Sequence, residues 1–311
     1  MRLGVLVLLV LCGLNLYSQP EEQKPASPVV PPPEHTGPDP SRLRLVTGVQ
    51  AGGYLASMLA LNQMWYSDHP RSSFHFHDDL PDWKQLDKMG HIASTYHIGR
   101  ISAKTFRWSG MNPRRSAAFG SLYALALLTT VEIMDGFSAE WGASVSDLAA
   151  NKIGAGSFLL QELAWEQQRI GIKYSFRPSG LEQYRPDLLG DGLHENLLKD
   201  YNGMTFWTSV NISSFLDAGS SFPSWLNLAV GYGADGLLGS RSNPETWNGQ
   251  TLPQLERYRQ WYLAPDIDLS KIQTGSPFLN NLLSTLNFLK VPSPALEYNA
   301  VEGWRFHWVF F

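Results

Sequence analysis

Three short stretches in the first half of the chain carry polar or ionisable residues at helical spacing inside otherwise apolar segments. They are Asp87-Lys88-x-x-His91 with Tyr96 beyond it, Glu132-x-x-Asp135-Gly136, and Ser144-x-x-Asp147-x-x-x-Asn151-x-x-Gly154. Residues three or four apart project from one face of a helix. Three such helices packed together would gather Asp87, His91, Glu132, Asp135, Asp147 and Asn151 in a shared interior. Burying several ionisable groups costs several kcal/mol unless they pair or hold a ligand, so the cluster is either a structural network or a site. Two chemistries fit it. His91, Asp87, Glu132 and Asp135 could bind a divalent metal through mixed nitrogen and oxygen ligands and activate water or a phosphate. Without a metal, His91 oriented by Asp87 could act as a general base, with Glu132 as an acid whose pKa burial raises. The catalytic candidates are therefore His91, Asp87 and Glu132, and the binding candidates Asp135, Ser144, Asp147, Asn151 and Tyr96. The two-histidine spacing of a zinc signature, a nucleophile elbow, a phosphate loop and a dinucleotide glycine fingerprint are all absent from the sequence.

Each motif also has a plain structural reading. Ser144-x-x-Asp147 forms a capping box at a helix start, and Asn151-x-x-Gly154 suits a packing contact between neighbouring backbones. Glu132 and Asp135 close an apolar helix, where their charge opposes the helix dipole, so helix stability does not explain them. Lys88, one residue from Asp87, is expected to point away from the Asp87 face as a surface charge or a partner to another acid. The loop at 67–81 holds His69, His75, His77, Asp78 and Asp79 and reads as a solvated polar loop, since no second ligand cluster at metal spacing accompanies it.

Helical periodicity positions these residues. A helix-length apolar stretch at 42–66 reads as a core helix or a weak membrane span, diluted by Gln50, Ser57, Asn62 and Gln63. Helices follow at 83–103, with Asp82 and Gln85 as a capping box, at 115–135, and at 144–167, where Gly154 and Gly156 would let a neighbour approach closely. After Glu166 the period changes to two. Strands are expected at 170–176, 204–212, 225–238, 258–269 and 304–311, with an amphipathic helix at 278–290 ended by Pro292 and Pro294. In the last strand Trp304, Phe306, Trp308 and Phe310 are out of phase with the terminal Phe311. With about five strands visible, and eight or more wanted by a membrane barrel, an antiparallel sheet packed on the helical half is favoured over a barrel with a helical plug. The fold class is α+β: a bundle of about four helices with a polar interior, then a β-rich antiparallel half.

At 311 residues and 43% hydrophobic the chain can bury a large core. A net charge of −4 without any basic stripe argues against a nucleic-acid partner. Residues 1–18 read as a secretory signal and 19–41 as a proline-rich disordered tether. A helical domain at 42–167 and a β-rich domain at 168–311 complete the organisation. Cys12 is the only cysteine, so a mature chain cut after Ser18 would have none. Lipidation would cut before Cys12, where Leu11 is larger than such a cut prefers. The 11 Trp residues suit an envelope protein.

Over 83–156, the motif order Asp87-Lys88-x-x-His91, Glu132-x-x-Asp135, Ser144-x-x-Asp147-x-x-x-Asn151-x-x-Gly154 resembles the YfiM-like family of predicted periplasmic lipoproteins, a domain of unknown function. It is also similar to the order in VanZ-like membrane proteins. The resemblance implies a helical envelope domain and no established reaction. The chain is thus expected to be exported, periplasmic or outer-membrane associated, with a membrane or envelope lipid as partner and a divalent metal as a possible cofactor. Its expected function is structural or ligand-binding. The alternative is an envelope enzyme, a metal-assisted or acid-base hydrolase or transferase acting on a lipid or lipid-linked substrate.

Overall fold

The structure, a computed structural model, describes residues 37–67, 69–217 and 219–311; the signal segment, Cys12 and most of the tether lie outside the described residues. Helix α1, Pro40–Leu61, starts at Asp39, whose carboxylate accepts from the Ser41 and Arg42 amides. This satisfies amides that have no partner within the helix. A turn of wider pitch continues it to Tyr66. Helices α2, Leu86–Trp108, α3, Pro113–Gly136, and α4, Val145–Trp165, form the bundle. Asn112 caps α3 ahead of Pro113, and Ser144 caps α4. The expected start of α2 at 83 is displaced. Trp83, Lys84 and Gln85 all have left-handed backbone angles, so Asp82 and Gln85 form no capping box. Conformations of this kind cost about 1–3 kcal/mol each unless surrounding structure fixes them. Here the β half does so: Ser240 O accepts from Trp83 N at 2.8 Å, the Tyr232 hydroxyl donates to Lys84 O, and Arg259 donates to the Gln85 side chain.

The bundle closes through small residues. Gly120 on α3 lies against the Gly99 carbonyl and Ala103 of α2, and Gly154 on α4 lies against Thr95 and the Ile92 carbonyl of α2. Gly156 has no such neighbour. A Cβ at position 154 would overlap both Thr95 Oγ1 and the Ile92 carbonyl oxygen. Gly154→Ala is therefore expected to force α2 and α4 apart and lower stability by about 1–3 kcal/mol, measurable as a fall in the urea midpoint with an unchanged slope. Between the helices, Leu61, Ile98, Leu127, Leu128 and Val131 form the main apolar cluster. Of the described helices, α3 is long and apolar enough to cross a membrane, with just under half of its most apolar window buried in the fold.

The second half is built on an antiparallel meander of six strands, β1 Ile170–Phe176, β2 Met204–Asn211, β3 Leu226–Asp235, β4 Tyr258–Ile267, β5 Ser293–Asn299 and β6 Gly303–Phe310, with a separate two-stranded ladder of Thr246–Trp247 and Gln250–Thr251 between β3 and β4. A short helix, α5 at Leu193–Lys199, lies between β1 and β2, and α6, Pro277–Leu286, between β4 and β5. Strand β5 is absent from the sequence expectation because of Pro294. That proline falls at the register irregularity between Ser293 and Ala295, the kind of position in a ladder that tolerates a missing N–H. The sheet packs on α2 through Tyr174, Phe206 and Tyr232, which meet Leu86 and Ala93. It also curls on itself, since Trp207 of β2 touches Phe310 of β6 with ring centroids 5.9 Å apart. The architecture is α+β, helices first and an antiparallel sheet after.

Candidate functional site

The first turns of α2 and α4 and the last turns of α3 meet, and the polar cluster lies between them. Asp87, Lys88, His91, Glu132, Asp147 and Asn151 are each no more than 7% exposed. At the centre is Lys88. Its ammonium lies 2.7 Å from Asp79, 2.8 Å from Asp87 and 2.8 Å from Asp147: of the two expectations, surface charge or partner to another acid, the second holds, and Lys88, rather than pointing away from Asp87, is the hub of the network. A lysine in the first turn of a helix opposes the dipole. That mismatch marks Lys88 in the sequence just as the acidic end of α3 marks Glu132. Asp79, from the loop expected to be solvated, accepts from Ser144 Oγ at 2.5 Å and Ser146 Oγ at 2.7 Å. Tyr201, from the segment before β2, donates to Asp87 at 3.2 Å; in the sequence it stands between Asp200 and Asn202, and nothing there signals this contact.

His91 is held by one nitrogen. Nδ1 donates to Asn151 Oδ1 at 3.0 Å, which leaves Nε2 of the neutral ring with its lone pair. That lone pair faces Glu132 Oε1 and Asp147 Oδ2, each 3.7 Å away. Glu132 Oε2 accepts from the Ser144 amide at 3.1 Å, but Glu132 Oε1 and Asn151 Nδ2 have no hydrogen-bond partner among the described residues. Ser144 also caps α4, accepting from the Asp147 amide at 2.9 Å, so one serine ties α3, α4 and the Asp79 loop together. Asp135 sits one turn beyond Glu132 and accepts from the Tyr66 hydroxyl at 2.7 Å. Tyr96 stands apart: its hydroxyl donates to Gln168 at 3.1 Å and to the Ile170 carbonyl at 3.3 Å, where α4 passes into β1. The structure thus gathers Asp87, His91, Glu132, Ser144, Asp147 and Asn151, sets Asp135 beside them, and leaves Tyr96 elsewhere.

The electrostatics divide the carboxyl groups into two kinds. Burial works against ionising Asp79 and Asp87, yet hydrogen bonds from Asp147, Lys88 and the serines hold Asp79 below the carboxylate range, and Lys88 does the same for Asp87. Burial also opposes the Lys88 charge, but Asp87 and Asp147 keep it above the ordinary lysine value. Burial, with the charge of Asp135 beside it, pushes Glu132 up to about 8. Asp147 is pushed upward by burial and by the charge of Asp87, and Asp135 by burial to about 6. Burial lowers His91. At neutral pH the network therefore contains Asp79 and Asp87 as carboxylates around one ammonium, while Glu132 and Asp147 keep protons beside a neutral imidazole. A cleft lined by His97, Arg100, Lys104, Arg107, Phe158 and Phe288 lies further along α2 and shares no residue with this cluster.

Fold and cluster together define an α+β protein with a buried charge network at the meeting point of three helices. Residues 76–162 match the model of a family described as predicted periplasmic lipoprotein (DUF2279). The match takes in every residue of the network except Tyr66 and Tyr201, and it supports an exported protein of the cell envelope. Comparison with curated proteins gave no match, and comparison with solved structures gave none.

Proposed function

We propose that the helical domain is a ligand-binding module of the cell envelope that holds a divalent cation between His91 Nε2, Glu132 Oε1 and Asp147 Oδ2. One observation carries this reading: an imidazole lone pair and an unpartnered buried carboxyl oxygen face each other across 3.7 Å. Two ligands each about 2.0–2.2 Å from a common ion lie this far apart at an angle of roughly 125°. Asn151 plays the part of the outer partner that fixes the tautomer and orientation of a ligating histidine. Asp87, His91 and Asp147 also present ligand atoms within 4.8 Å of one another. Lys88 shares Asp147 with the ion and neutralises Asp79 and Asp87. Burial of the whole cluster favours a bound ion over a hydrolase acting on lipid, because a lipid chain needs an open approach to the reacting atoms. The YfiM-like and VanZ-like motif order agrees with an envelope location and brings no reaction with it.

The test is a thermal melt and a calorimetric titration of chelator-treated protein with Zn²⁺, Mn²⁺ and Mg²⁺. Saturation at 100 times the dissociation constant adds about 2.7 kcal/mol, a rise of several degrees in Tm. His91→Gln and Glu132→Gln are expected to abolish that rise while leaving the chelated melts within a few degrees of wild type. A titration without heat or Tm change for any of the three ions overturns the proposal.

The pH dependence has a definite sign. The titratable and charged groups facing the site are Asp79 from its loop, Asp87, Lys88 and His91 from α2, Glu132 and Asp135 from α3, Asp147 from α4, and the hydroxyls of Tyr66 after α1 and Tyr201 before β2. A carboxyl raised on folding contributes stability that is present at low pH and lost as pH rises through its folded value. The cation-free protein is therefore expected to lose stability between about pH 5 and pH 8 as Glu132 approaches the value of about 8. Cation binding displaces the protons of Glu132 and Asp147, so affinity rises across the same window. Titrations in two buffers of different ionisation enthalpy measure the released protons.

A further inference from the structure

The sheet is inverted relative to a water-facing one. Its buried face carries Lys173, Asp266, Gln260, Glu297 and Asn299 beside Trp207, Tyr262 and Phe310, and Lys290 reaches the same interior from the segment before β5. On the opposite face the register aligns rows of apolar side chains across the strands. One row is Tyr174, Phe206, Tyr232, Trp261, Tyr298 and Trp304, and the next runs through Val230, Leu263, Leu296 and Phe306. The helices cover the first three residues of the aromatic row. From β4 onward the face is open: Trp261 is 50% exposed, Phe306 55% and Trp308 80%. The β6 register shift puts both Trp308 and Val309 outside and returns Phe310 to the interior, so the terminal Phe311 rejoins the outward phase. On β4 the outward residues between Arg259 and Asp268 are Trp261, Leu263, Pro265 and Ile267, none of them charged.

The geometry points to a lipid bilayer as the partner of this face, with the sheet lying on the membrane and its β4–β6 side chains projecting into the boundary between headgroups and acyl chains. Three observations favour lipid over protein. Protein interfaces are only about 56–58% apolar and carry roughly one hydrogen bond per 100–200 Å², whereas this face offers few side-chain donors: the tyrosine hydroxyl, the indole N–H groups and, at its margins, Thr208 and Arg259. Apolar-out, polar-in alternation with aromatic rows beside aliphatic ones is the pattern of strands facing lipid. A second, unrelated element repeats it. Helix α6 leaves Phe278, Leu279, Leu282 and Leu286 exposed, and Asn287 at its end accepts from the Leu269 amide in the turn after β4 at 2.8 Å. Insertion is face-on and shallow. The apolar run on β4, from Trp261 to Ile267, is about 20 Å at 3.4 Å per residue, short of a hydrocarbon core of about 30 Å. Open strand edges are not tolerated in hydrocarbon, and β6 ends the sheet. Side chains reaching 5–10 Å into the boundary leave the backbone of β6 among hydrated headgroups.

The experiment uses the full chain carrying Cys12→Ser, which removes any lipid anchor, with vesicles of phosphatidylethanolamine and phosphatidylglycerol. Flotation is compared with the same chain bearing Leu263→Glu and Phe306→Glu, both at exposed positions. In parallel, vesicles brominated near the headgroup end of the acyl chains quench indole fluorescence; residues 1–36 contain no tryptophan, so quenching reports the folded part. The expected result is flotation of the parent, indole quenching, and a fivefold or greater loss of flotation in the double variant with an unchanged melt. Should the double variant fail to fold, quenching of the parent decides by itself. Three results overturn the proposal: absence of quenching, equal flotation of both chains, or a lipid-free dimer that the substitutions convert to monomer, which would assign the face to a second copy.

Discussion

Lys88→Met is expected to lower the stability of the protein by about 3–5 kcal/mol, the cost of leaving buried charges without their partner. The ammonium is within 2.8 Å of three carboxyl groups at once; its charge keeps Asp87 ionised against burial, and with the hydrogen bond from Asp147 it does the same for Asp79. Methionine fills the volume of the side-chain stem but none of its charge. The network can recover in one way, by taking up protons, so the deficit is expected to shrink at pH 5 and to be full at pH 8. Urea unfolding of both proteins at the two pH values measures this. A deficit below about 1 kcal/mol at pH 8 would show that the three carboxyl groups do not depend on the lysine. If the neighbouring position binds a divalent cation, added Zn²⁺ or Mn²⁺ should restore part of the loss, because an ion on Asp147 supplies the missing charge.

Asp266→Leu is expected to cost a similar amount, about 3–5 kcal/mol, and for a related reason inside the sheet. Asp266 accepts from Ser209 at 2.6 Å and pairs with Lys173 at 2.8 Å, with Lys290 3.7 Å away. All three charged side chains are essentially inaccessible to water. Removing the carboxylate leaves two ammonium groups held by neutral oxygens: the Ile267 carbonyl on Lys173, and the Pro265 and Val291 carbonyls with Ser293 on Lys290. The triple change Lys173→Met, Asp266→Leu and Lys290→Met removes the charges together. It is expected to recover most of the loss, since a buried ionic group replaced as a unit by apolar residues is often neutral. Urea unfolding of the single and triple variants separates the two cases: a triple variant no better than the single one would mean that the charged interior is itself required for the curl of the sheet.

The polar cluster was legible because its residues break local rules. Acidic residues at the end of α3 and a histidine four residues from an aspartate on α2 are conspicuous in apolar surroundings, and helical spacing alone places each pair on one face. For Lys88 the sequence leaves a surface charge and a partner to another acid both open, because a wheel drawn for one helix cannot show that Asp79 and Asp147 arrive from other segments and draw the lysine inward. Tyr96 shares the cluster's helix, but its hydroxyl is claimed by Gln168 and the Ile170 carbonyl, partners that become neighbours only once α4 turns into β1. The α2 start moved to Leu86 because contacts from Ser240, Tyr232 and Arg259 override the local capping pattern of Asp82 and Gln85.

What the sequence by itself determined was element type and alternation: helices from their period and caps, strands from their period of two, and the pairs of ionisable residues each face would carry. Only the tertiary structure decided which side of the sheet is inside. A period of two separates the apolar set Leu228, Val230 and Tyr232 from the small and polar set Asn227, Ala229 and Gly231, and it is silent on which set faces the protein. That choice follows from the curl of the sheet, which brings Trp207 against Phe310 and encloses Lys173, Asp266 and Lys290. Burial is a property of the assembled surface, and no stretch of sequence read along its own axis contains it.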